Sequence, residues 1–434
     1  SFRRGPGLAT ASMLPALRQH FGGRGDVPFS RILFVNPAGM PGPGDTRHFL
    51  ALDNTVSLKP GITETLMDLR NTYRSIAQDF SAWPSSVPRL VDELEAMVSV
   101  LLAILCAHLI GARNVGWAAF SGYMVMRSHV EESFRRGALR VAGTASGAAL
   151  AWYLSGFVSQ SLWLLSAALT LIGTITLYFA IVSQRSYAWL FSGLTFSMVL
   201  LDAIERPGEV VGGIAWSRFL EVTVGTCVCV CVSAISTYTV RRRLLRPTKP
   251  AAPPEHVFSS PDPDRAAIVQ HALQGGIALG LIPWAWHWFG IESLSQSSIT
   301  IMAVMMVPLA SLAARHDPTS TKMVYRFIGC CGGGALATLF LLASREAPYL
   351  APYLMTLGVC VGVVIGRHIE NGKSGAGYIG TQFALVFLVV LVPDSYGSID
   401  IGPGLDRLVG ITLGMVLLVP VRQVWRGLAR SLGR

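Results

Sequence analysis

The sequence predicts an all-α polytopic membrane protein of about twelve transmembrane helices, arranged as two parallel-oriented six-helix repeats. Three observations predict this class: an apolar composition, recurring apolar runs of helix length, and internal repetition. Of the 434 residues, 51% are hydrophobic and only 14% are charged. A helix that crosses the hydrocarbon core of a bilayer needs about 20 mostly apolar residues, and such runs recur from about Met97 onward. Most of the chain is therefore expected to lie in lipid.

Residues 1–94 differ from the rest, and we interpret them as an N-terminal cytoplasmic appendage. Glycine and proline are frequent around Gly22–Gly44, whereas Glu64–Phe80 places apolar residues at helical spacing. An ordinary solvated helix is the favoured interpretation of that stretch, and contact with the membrane or a partner helix is the alternative. No basic start followed by a short apolar stretch and a small-residue cleavage site is found, so we expect no signal peptide.

Twelve apolar segments fall into two groups of six. The first repeat, 95–240, holds segments at about 95–112, 115–127, 135–156, 160–182, 187–202 and 215–238. Residues 241–266 follow as a basic, proline-rich cytoplasmic linker, because its prolines cannot continue a helix. The second repeat, 267–434, holds segments at about 267–289, 297–313, 323–343, 349–366, 376–392 and 405–424, and ends in a short basic tail.

Three short motifs occur in both groups at offsets of 186, 187 and 189 residues. Arg140-x-x-Gly143-x-x-x-Gly147 recurs as Arg326-x-x-Gly329-x-x-x-Gly333, Gly193-x-Thr195-Phe196 as Gly380-x-Gln382-Phe383, and Arg218 with Thr223-x-Gly225 as Arg407 with Thr412-x-Gly414. Such agreement predicts two copies of one unit. An even number of helices in each copy gives both copies the same orientation in the membrane.

The distribution of charge predicts the topology. Loops on one side are basic, with Arg127, Arg135, Arg136, Arg185, Arg315, Lys322, Arg367 and Lys373. Loops on the other side are mostly acidic, with Asp202, Glu205, Glu209, Glu292, Glu346, Asp394, Asp400 and Asp406. Because basic loops stay in the cytoplasm, we expect a bacterial inner-membrane protein with both termini cytoplasmic. The net charge of +10 then reflects topology and does not indicate a nucleic-acid partner.

Several of these motifs resemble the fusaric acid resistance family, which is related to aromatic acid exporters. The residues concerned are Gly116-Trp117-Ala118-Ala119-Phe120 in the second segment, Arg140 to Gly147 in the third, and Arg218-Phe-Leu-Glu221-Val-Thr-Val-Gly225 in the sixth. The resemblance extends over about Val91 to Ala429. It implies an inner-membrane pump for aromatic or other lipophilic weak acids, driven by the proton gradient. The chain departs from some members in lacking a large cytoplasmic domain between its halves.

Arg218 and Arg407 are the first candidates for binding a substrate anion. They begin the sixth and twelfth segments on the acidic side, where topology does not require arginine, and a guanidinium binds a carboxylate with two hydrogen bonds. A structural ion pair with Asp202, Asp406 or Glu221 is an equally favoured alternative. Glu221 itself is the candidate for proton coupling, because an intramembrane carboxylate is a functional hypothesis by default. Pairing with Arg218 would instead keep Glu221 ionised and structural.

Arg140 and Arg326 begin their segments on the basic side, and we interpret them as anchors whose side chains extend to the membrane surface. Together with Gly143, Gly147, Gly329 and Gly333 they are predicted to form a structural motif.

Four segments that are predicted to be short or interrupted occupy equivalent places in the two halves: Val115–Met126, Tyr187–Leu201, Ile299–Ala314 and Tyr378–Val392. Such pairs of segments indicate the central site of a transporter. They contain Trp117, Ser121, Tyr123, Tyr187, Thr195, Ser298, Thr300, Tyr378 and Gln382, a set that suits an aromatic acid. Interfacial aromatic residues and hydroxyl groups that pack helices together are the alternative explanation for most of them.

Nucleotide and metal motifs lack their structural context, so we expect no cofactor, no metal and no catalytic residue. Gly375-x-Gly377-x-x-Gly380 opens an apolar segment with no strand before it, and alternate cysteines from Cys227 to Cys231 cannot converge on one metal. The leading hypothesis is proton-coupled export of small organic anions from a site between the repeats. A passive organic-anion channel is the alternative, and a membrane enzyme is less favoured. A homo-oligomer and a periplasmic adaptor protein are kept open as partners.

Overall fold

Every secondary-structure element that the computed structural model describes is a helix. The described residues are part of 70–81, then 86–244, 265–312 except 292, 318–372, 376–392 and 402–431. Most of the predicted appendage and residues 245–264 of the predicted linker lie outside these ranges. Between residues 70 and 81 the described residues are helical, and Tyr73 is exposed.

The first group of predicted segments corresponds to six helices. They are α1 (Val87–Leu109), α2 (Val115–Val125), α3 (Val130–Val158), α4 (Leu162–Val182), α5 (Ser186–Glu205) and α6 (Val211–Ser236). The π-helical turn Thr237–Arg241 and the single turn Arg242–Leu244 continue α6. The first helix begins at Val87 instead of about 95, because charged residues such as Glu93 and Glu95 are buried against partners on other helices and do not end it.

The second group contains seven numbered helices. They are α7 (Arg265–Gly280), α8 (Ile282–Phe289), α9 (Leu294–Met305), α10 (Pro318–Glu346), α11 (Ala351–Glu370), α12 (Gly377–Leu391) and α13 (Gly402–Ser431). The predicted segment 267–289 divides at Leu281, just before Pro283. The predicted segment 297–313 stops at Met305, and only the single turn Leu309–Leu312 follows Pro308. Proline explains both breaks because it lacks an N–H group and clashes with the preceding turn.

Eight helical stretches are long and apolar enough to cross a membrane: Val130–Val158, Leu162–Val182, Ser186–Glu205, Val211–Leu244, Arg265–Phe289, Pro318–Glu346, Pro348–Glu370 and Gly404–Leu428. This finding indicates a multi-pass membrane protein, whereas the count of about twelve stays a prediction. Three of the four segments predicted to be short are so: α2, α9 and α12 have 11, 12 and 15 residues. The prediction is wrong for α5, which has 20 residues.

The glycines of the first Arg-Gly-Gly motif let α3 and α5 pack backbone to backbone. A Cβ atom added at Gly143 would lie 2.3 Å from the carbonyl oxygen of Ala188, and one at Gly147 would lie 2.2 Å from that of Ser192. No side chain fits in that space, so glycine is required at both positions.

The second copy of the motif packs α10 against α12 in the same way. A Cβ atom at Gly329 would lie 2.6 Å from the carbonyl oxygen of Ile379, and one at Gly333 would lie 2.3 Å from that of Phe383. Equivalent glycines therefore join equivalent helices in the two groups. This parallel supports the two-repeat layout, which stays a prediction.

The helices of the two groups also pack against each other within one unit, Glu64–Arg434. One contact joins α4 and α7, where a Cβ atom at Gly276 would meet the hydroxyl of Thr174 at 2.0 Å. Another joins α2 and α12, where Gly116 approaches the carbonyl of Val392. The short helices α2, α9 and α12 line a space between the two groups.

Candidate functional site

A cavity of about 320 Å³ lies between the two groups of helices. It is lined by Phe120, Met124, Arg136, Leu190, Phe191, Leu194, Gln296, Ile299, Ala303, Met306, Lys322, Arg326, Tyr378, Thr381, Gln382, Leu385, Val386, Val389 and Ile411. These residues come from α2, α3 and α5 on one side and from α9 with the following Met306, α10, α12 and α13 on the other. All four segments that were predicted to form a central site contribute to the lining.

The charged residues that line this cavity are all basic. They are Arg136, Lys322 and Arg326, and the described lining contains no carboxylate. The remaining lining residues are mostly aliphatic and aromatic. Such a chamber, apolar with a few positive groups, has the composition of a site for a lipophilic anion.

Arg326 is the central cation of the cavity wall. It is 3% exposed, its guanidinium donates to the side-chain oxygen of Gln382, and a second N–H donates to the hydroxyl of Thr300 at 3.1 Å. Among the described residues it forms no ion pair, and its Nε–H has no acceptor. A buried guanidinium is therefore left with positive charge and a hydrogen-bond donor to offer.

Lys322 lies one helical turn before Arg326, and its side chain binds backbone carbonyls at the C-terminal end of α9. Its ammonium group donates to the carbonyl of Met306 and, at 3.2 Å, to that of Ala303. The same group lies 4.8 Å from the centre of the Tyr378 ring. The Tyr378 hydroxyl is buried without a hydrogen bond of regular geometry among the described residues. This hydroxyl is a further donor for a bound anion.

Arg140 is fully buried in the other half of the protein, with 0% exposure. It donates to the hydroxyl of Ser121 at 3.2 Å and to that of Tyr187 at 3.5 Å. Its guanidinium carbon lies 4.0 Å from the centre of the Phe191 ring and 5.3 Å from that of Phe120, both of which line the cavity. Arg140 therefore lies directly behind the aromatic wall, and no carboxylate pairs with it among the described residues.

The interpretation of Arg140 and Arg326 as anchors that reach the membrane surface is wrong. Both side chains point into the protein, since they are 0% and 3% exposed. Their contacts are also equivalent: Arg140 bonds to hydroxyls on α2 and α5, whereas Arg326 bonds to polar groups on α9 and α12. The repeat motif thus places a buried arginine beside the cavity from each half.

The predicted substrate-binding residues are only partly brought together. Gln382 lines the cavity and accepts from Arg326, and Trp117 and Tyr187 pack against the cluster that includes Phe191. Thr195 is buried on α5, away from the lining. Tyr123 points elsewhere, because its hydroxyl donates to Glu370 at 2.8 Å.

The outer arginines do not line the cavity. Arg218 pairs with Asp202 at 2.8 Å and borders a space of only about 10 Å³, too small for an organic acid. Arg407 donates to the carbonyl of Val389 at 2.6 Å, at the edge of the lining. The geometry thus favours the ion-pair alternative for Arg218, and a direct role for either arginine in binding substrate stays a prediction.

Glu221 is held by three groups at once. It lies 3.4 Å from Arg218, accepts from the Ser217 hydroxyl at 2.6 Å, and accepts from the backbone N–H of Asn114 at 2.9 Å. A guanidinium, a hydroxyl and a backbone N–H therefore all contact the carboxylate of Glu221. The arrangement favours the structural interpretation of Glu221, and its role in proton coupling stays a prediction.

The sequence analysis used Lys322 and Arg136 only as evidence for the membrane topology, yet both residues line the cavity. The offset of 186 residues that relates Arg140 to Arg326 also relates Arg136 to Lys322. Each of the two lies over a tyrosine ring, Arg136 over Tyr187 at 5.3 Å and Lys322 over Tyr378. Extending the repeat alignment by one helical turn would have identified this second pair of cations.

Residues 102–232, which extend from within α1 to within α6, match the model of a family described as fusaric acid resistance protein-like. The match confirms the resemblance seen in the motifs of the first half. Together with the apolar helices, it indicates a membrane transport protein. Comparisons with curated proteins and with solved structures found no match. In the described part of the chain, no group of three or more metal-binding side chains is close enough to hold a metal ion.

Proposed function

We propose that this protein, related to the fusaric acid resistance family over residues 102–232, exports small lipophilic or aromatic organic acids across the bacterial inner membrane in exchange for protons. The substrate carboxylate binds in the cavity between the two groups of helices. The observation that carries this proposal is Arg326, a buried cation in the cavity wall without a carboxylate partner among the described residues.

Burying a charge is costly unless it is paired, and the penalty amounts to several kcal/mol for each ion. The groups that approach Arg326 among the described residues are neutral: Gln382 and Thr300 accept its hydrogen bonds, and the Tyr378 hydroxyl lies nearby. A carboxylate in the cavity would supply the missing negative charge and accept hydrogen bonds from Arg326 and the Tyr378 hydroxyl. Lys322 adds a second positive charge on the same helix. The site therefore favours monoanions over neutral molecules of equal size.

The rest of the lining suits an aromatic or aliphatic body. Phe120 and Phe191 present rings to the cavity, and Leu190, Ile299 and Leu385 add aliphatic surface. A volume of about 320 Å³ is at the lower end of the range for ligand pockets. It fits a single small ring with its carboxylate and excludes large multi-ring compounds.

The test is uptake of radiolabelled benzoate, used as a probe acid, into inverted membrane vesicles. Arg326→Gln keeps hydrogen-bonding capacity and removes the charge. A lost charge-assisted hydrogen bond costs about 1.5–3 kcal/mol, so benzoate affinity should fall about 10-fold to 150-fold. Arg345→Gln is the matched control, because Arg345 is an exposed arginine on the same helix. Equal benzoate uptake by both variants would contradict the cavity as the binding site.

A passive organic-anion channel is the second candidate. Glu221, the carboxylate predicted to carry protons, is held in an ion pair, and a channel needs no proton site. The uncoupler arm of the vesicle experiment separates the two functions. If uncoupler abolishes the accumulation of benzoate against its concentration gradient, the exchanger is supported. If transport persists unchanged with uncoupler, the channel is supported.

A further inference from the structure

A buried carboxylate and a buried imidazole meet where α1 packs against α11. Oε1 of Glu93 lies 2.7 Å from Nδ1 of His368, and each side chain is only 1% exposed. Helix α1 belongs to the first group of helices and α11 to the second. The pair therefore forms a polar contact between the two groups that is closed to water.

Arg89 and Phe80 are described neighbours of this pair. Arg89, one turn before Glu93, places its Nε 3.8 Å from the Glu93 carboxylate and donates to the backbone carbonyl of His368. The ring of Phe80 lies 4.8 Å from the imidazole, measured between ring centres. Arg89 and the nearer His368 thus both approach the Glu93 carboxylate.

Several other charged groups near this pair, among the described residues, are held in arginine–carboxylate pairs: Arg241 with Asp92 and Glu95, and Arg127 and Arg367 with Glu370. The hydroxyl of Tyr123 also donates to Glu370. Arginine remains protonated at any physiological pH. Histidine is the side chain that exchanges a proton most readily near neutral pH. His368 is accordingly the group in this network that is suited to gain and lose one.

We propose that Glu93 and His368 bind the proton that is exchanged for the substrate, an inference that rests on the proposed proton-coupled export. While α1 and α11 are in contact, protonated His368 donates to the Glu93 carboxylate and the ion pair is shielded from water. When α11 moves away from α1, water reaches the imidazole, which gives up its proton to that water. Proton occupancy then depends on the relative position of the two groups of helices.

Tight packing connects this pair to the cavity. A Cβ atom at Gly362 would lie 2.3 Å from the ring of Phe387, and one at Gly366 would lie 2.5 Å from the Cβ atom of Ala384. Because the two helices fit so closely, α11 and α12 move together. Helix α12 carries Tyr378 and Gln382 in the cavity wall. A shift of α12 that accompanies substrate binding therefore moves His368 relative to Glu93.

The direct test measures protons that are released when benzoate binds to the purified full-length protein in weakly buffered detergent solution. The wild type should release a proton as benzoate binds, and His368→Gln should bind benzoate without this release. Glu95→Gln is the matched control, a buried glutamate on the same helix whose partners Arg241 and Ser236 lie within the first group. Proton release by His368→Gln equal to that of the wild type overturns the inference, and so does binding by the wild type without release at any pH between about 5 and 8.

Vesicle transport separates this inference from the proposed function. Gradient-driven accumulation of benzoate should be lost in His368→Gln, whereas downhill exchange of labelled for unlabelled benzoate should continue. Glu93→Gln carries the same test if His368→Gln does not fold. Accumulation by a folded variant at the wild-type level overturns the proton site alone. Failure of the wild type to bind or exchange benzoate overturns the proposed function.

Discussion

The packing of α3 on α5 can be tested by adding one methyl group at Gly147. An alanine there would place its Cβ atom 2.2 Å from the carbonyl oxygen of Ser192, 3.0 Å from its carbonyl carbon, and 3.1 Å from the backbone nitrogen of Phe196. All three are backbone atoms of α5, so no side-chain rotation relieves the contact. The helix itself must move away by about 1 Å to restore ordinary van der Waals separation.

The cost of this movement can be estimated against a control in the same helix. Overpacking of this kind destabilises proteins by about 1–3 kcal/mol, whereas alanine gains up to about 1 kcal/mol over glycine in helix propensity. Gly156 is also in α3, is exposed, and would have no atom within 4 Å of an added Cβ atom. Gly156→Ala should therefore change stability only through its higher helix propensity. The two variants should therefore differ in free energy of unfolding by the overpacking term, about 1–3 kcal/mol.

The assay is reversible unfolding of the purified protein in mixed detergent micelles, followed by helical circular dichroism. Gly147→Ala should be the less stable variant, and its benzoate affinity should also fall, because α5 carries Phe191 in the cavity wall. Gly156→Ala should bind benzoate as the wild type does. Equal free energies of unfolding for the two variants would refute the close approach of α3 and α5.

Three further predictions concern coupling, cavity size and topology. Glu221→Gln should retain gradient-driven accumulation of benzoate, because Glu221 forms an ion pair with Arg218. Loss of accumulation with downhill exchange intact would indicate that Glu221 is the proton site. Ala303→Phe adds a ring to the cavity lining. This variant should weaken the inhibition of transport by two-ring acids more than the inhibition by benzoate, and the measurement is the ratio of the two inhibition constants in vesicles. In whole cells an impermeant thiol reagent should label a cysteine at position 398 and spare one at position 260, and the reverse pattern would contradict the predicted orientation.

Much of the helical organisation follows from the sequence, because apolar runs and proline positions are local signals. The pair of Arg-Gly-Gly motifs was also recognisable, and its glycines lie where α3 meets α5 and α10 meets α12. The start of α1 could not be predicted in the same way. Arg89, Glu93 and Glu95 look like solvent-exposed charges, yet Glu93 and Glu95 are buried, and all three have partners far away in the sequence.

In the candidate site, too, contacts between residues that are far apart in the sequence could not be predicted. The sequence predicts that Arg140 and Arg326 are repeat equivalents, but it does not give the direction of their side chains, since an arginine near a helix start can reach the membrane surface or turn inward. Only the packed structure shows that Ser121 and Thr300 accept their N–H groups inside the protein. For Arg218 the sequence left substrate binding and an ion pair open, and the structure shows the ion pairs with Asp202 and Glu221.

The two buried arginines contribute unequally to the cavity, and the difference follows from their neighbours. Arg140 is separated from the cavity by the faces of Phe120 and Phe191, and a cation over an aromatic ring is stabilised by about 0.5–2 kcal/mol. No aromatic ring face covers Arg326 among the described residues, where its polar neighbours are Gln382, Thr300 and the Tyr378 hydroxyl. Its charge is therefore less compensated and faces the cavity directly. A bound carboxylate gains most beside Arg326, whereas the charge of Arg140 acts through the aromatic wall.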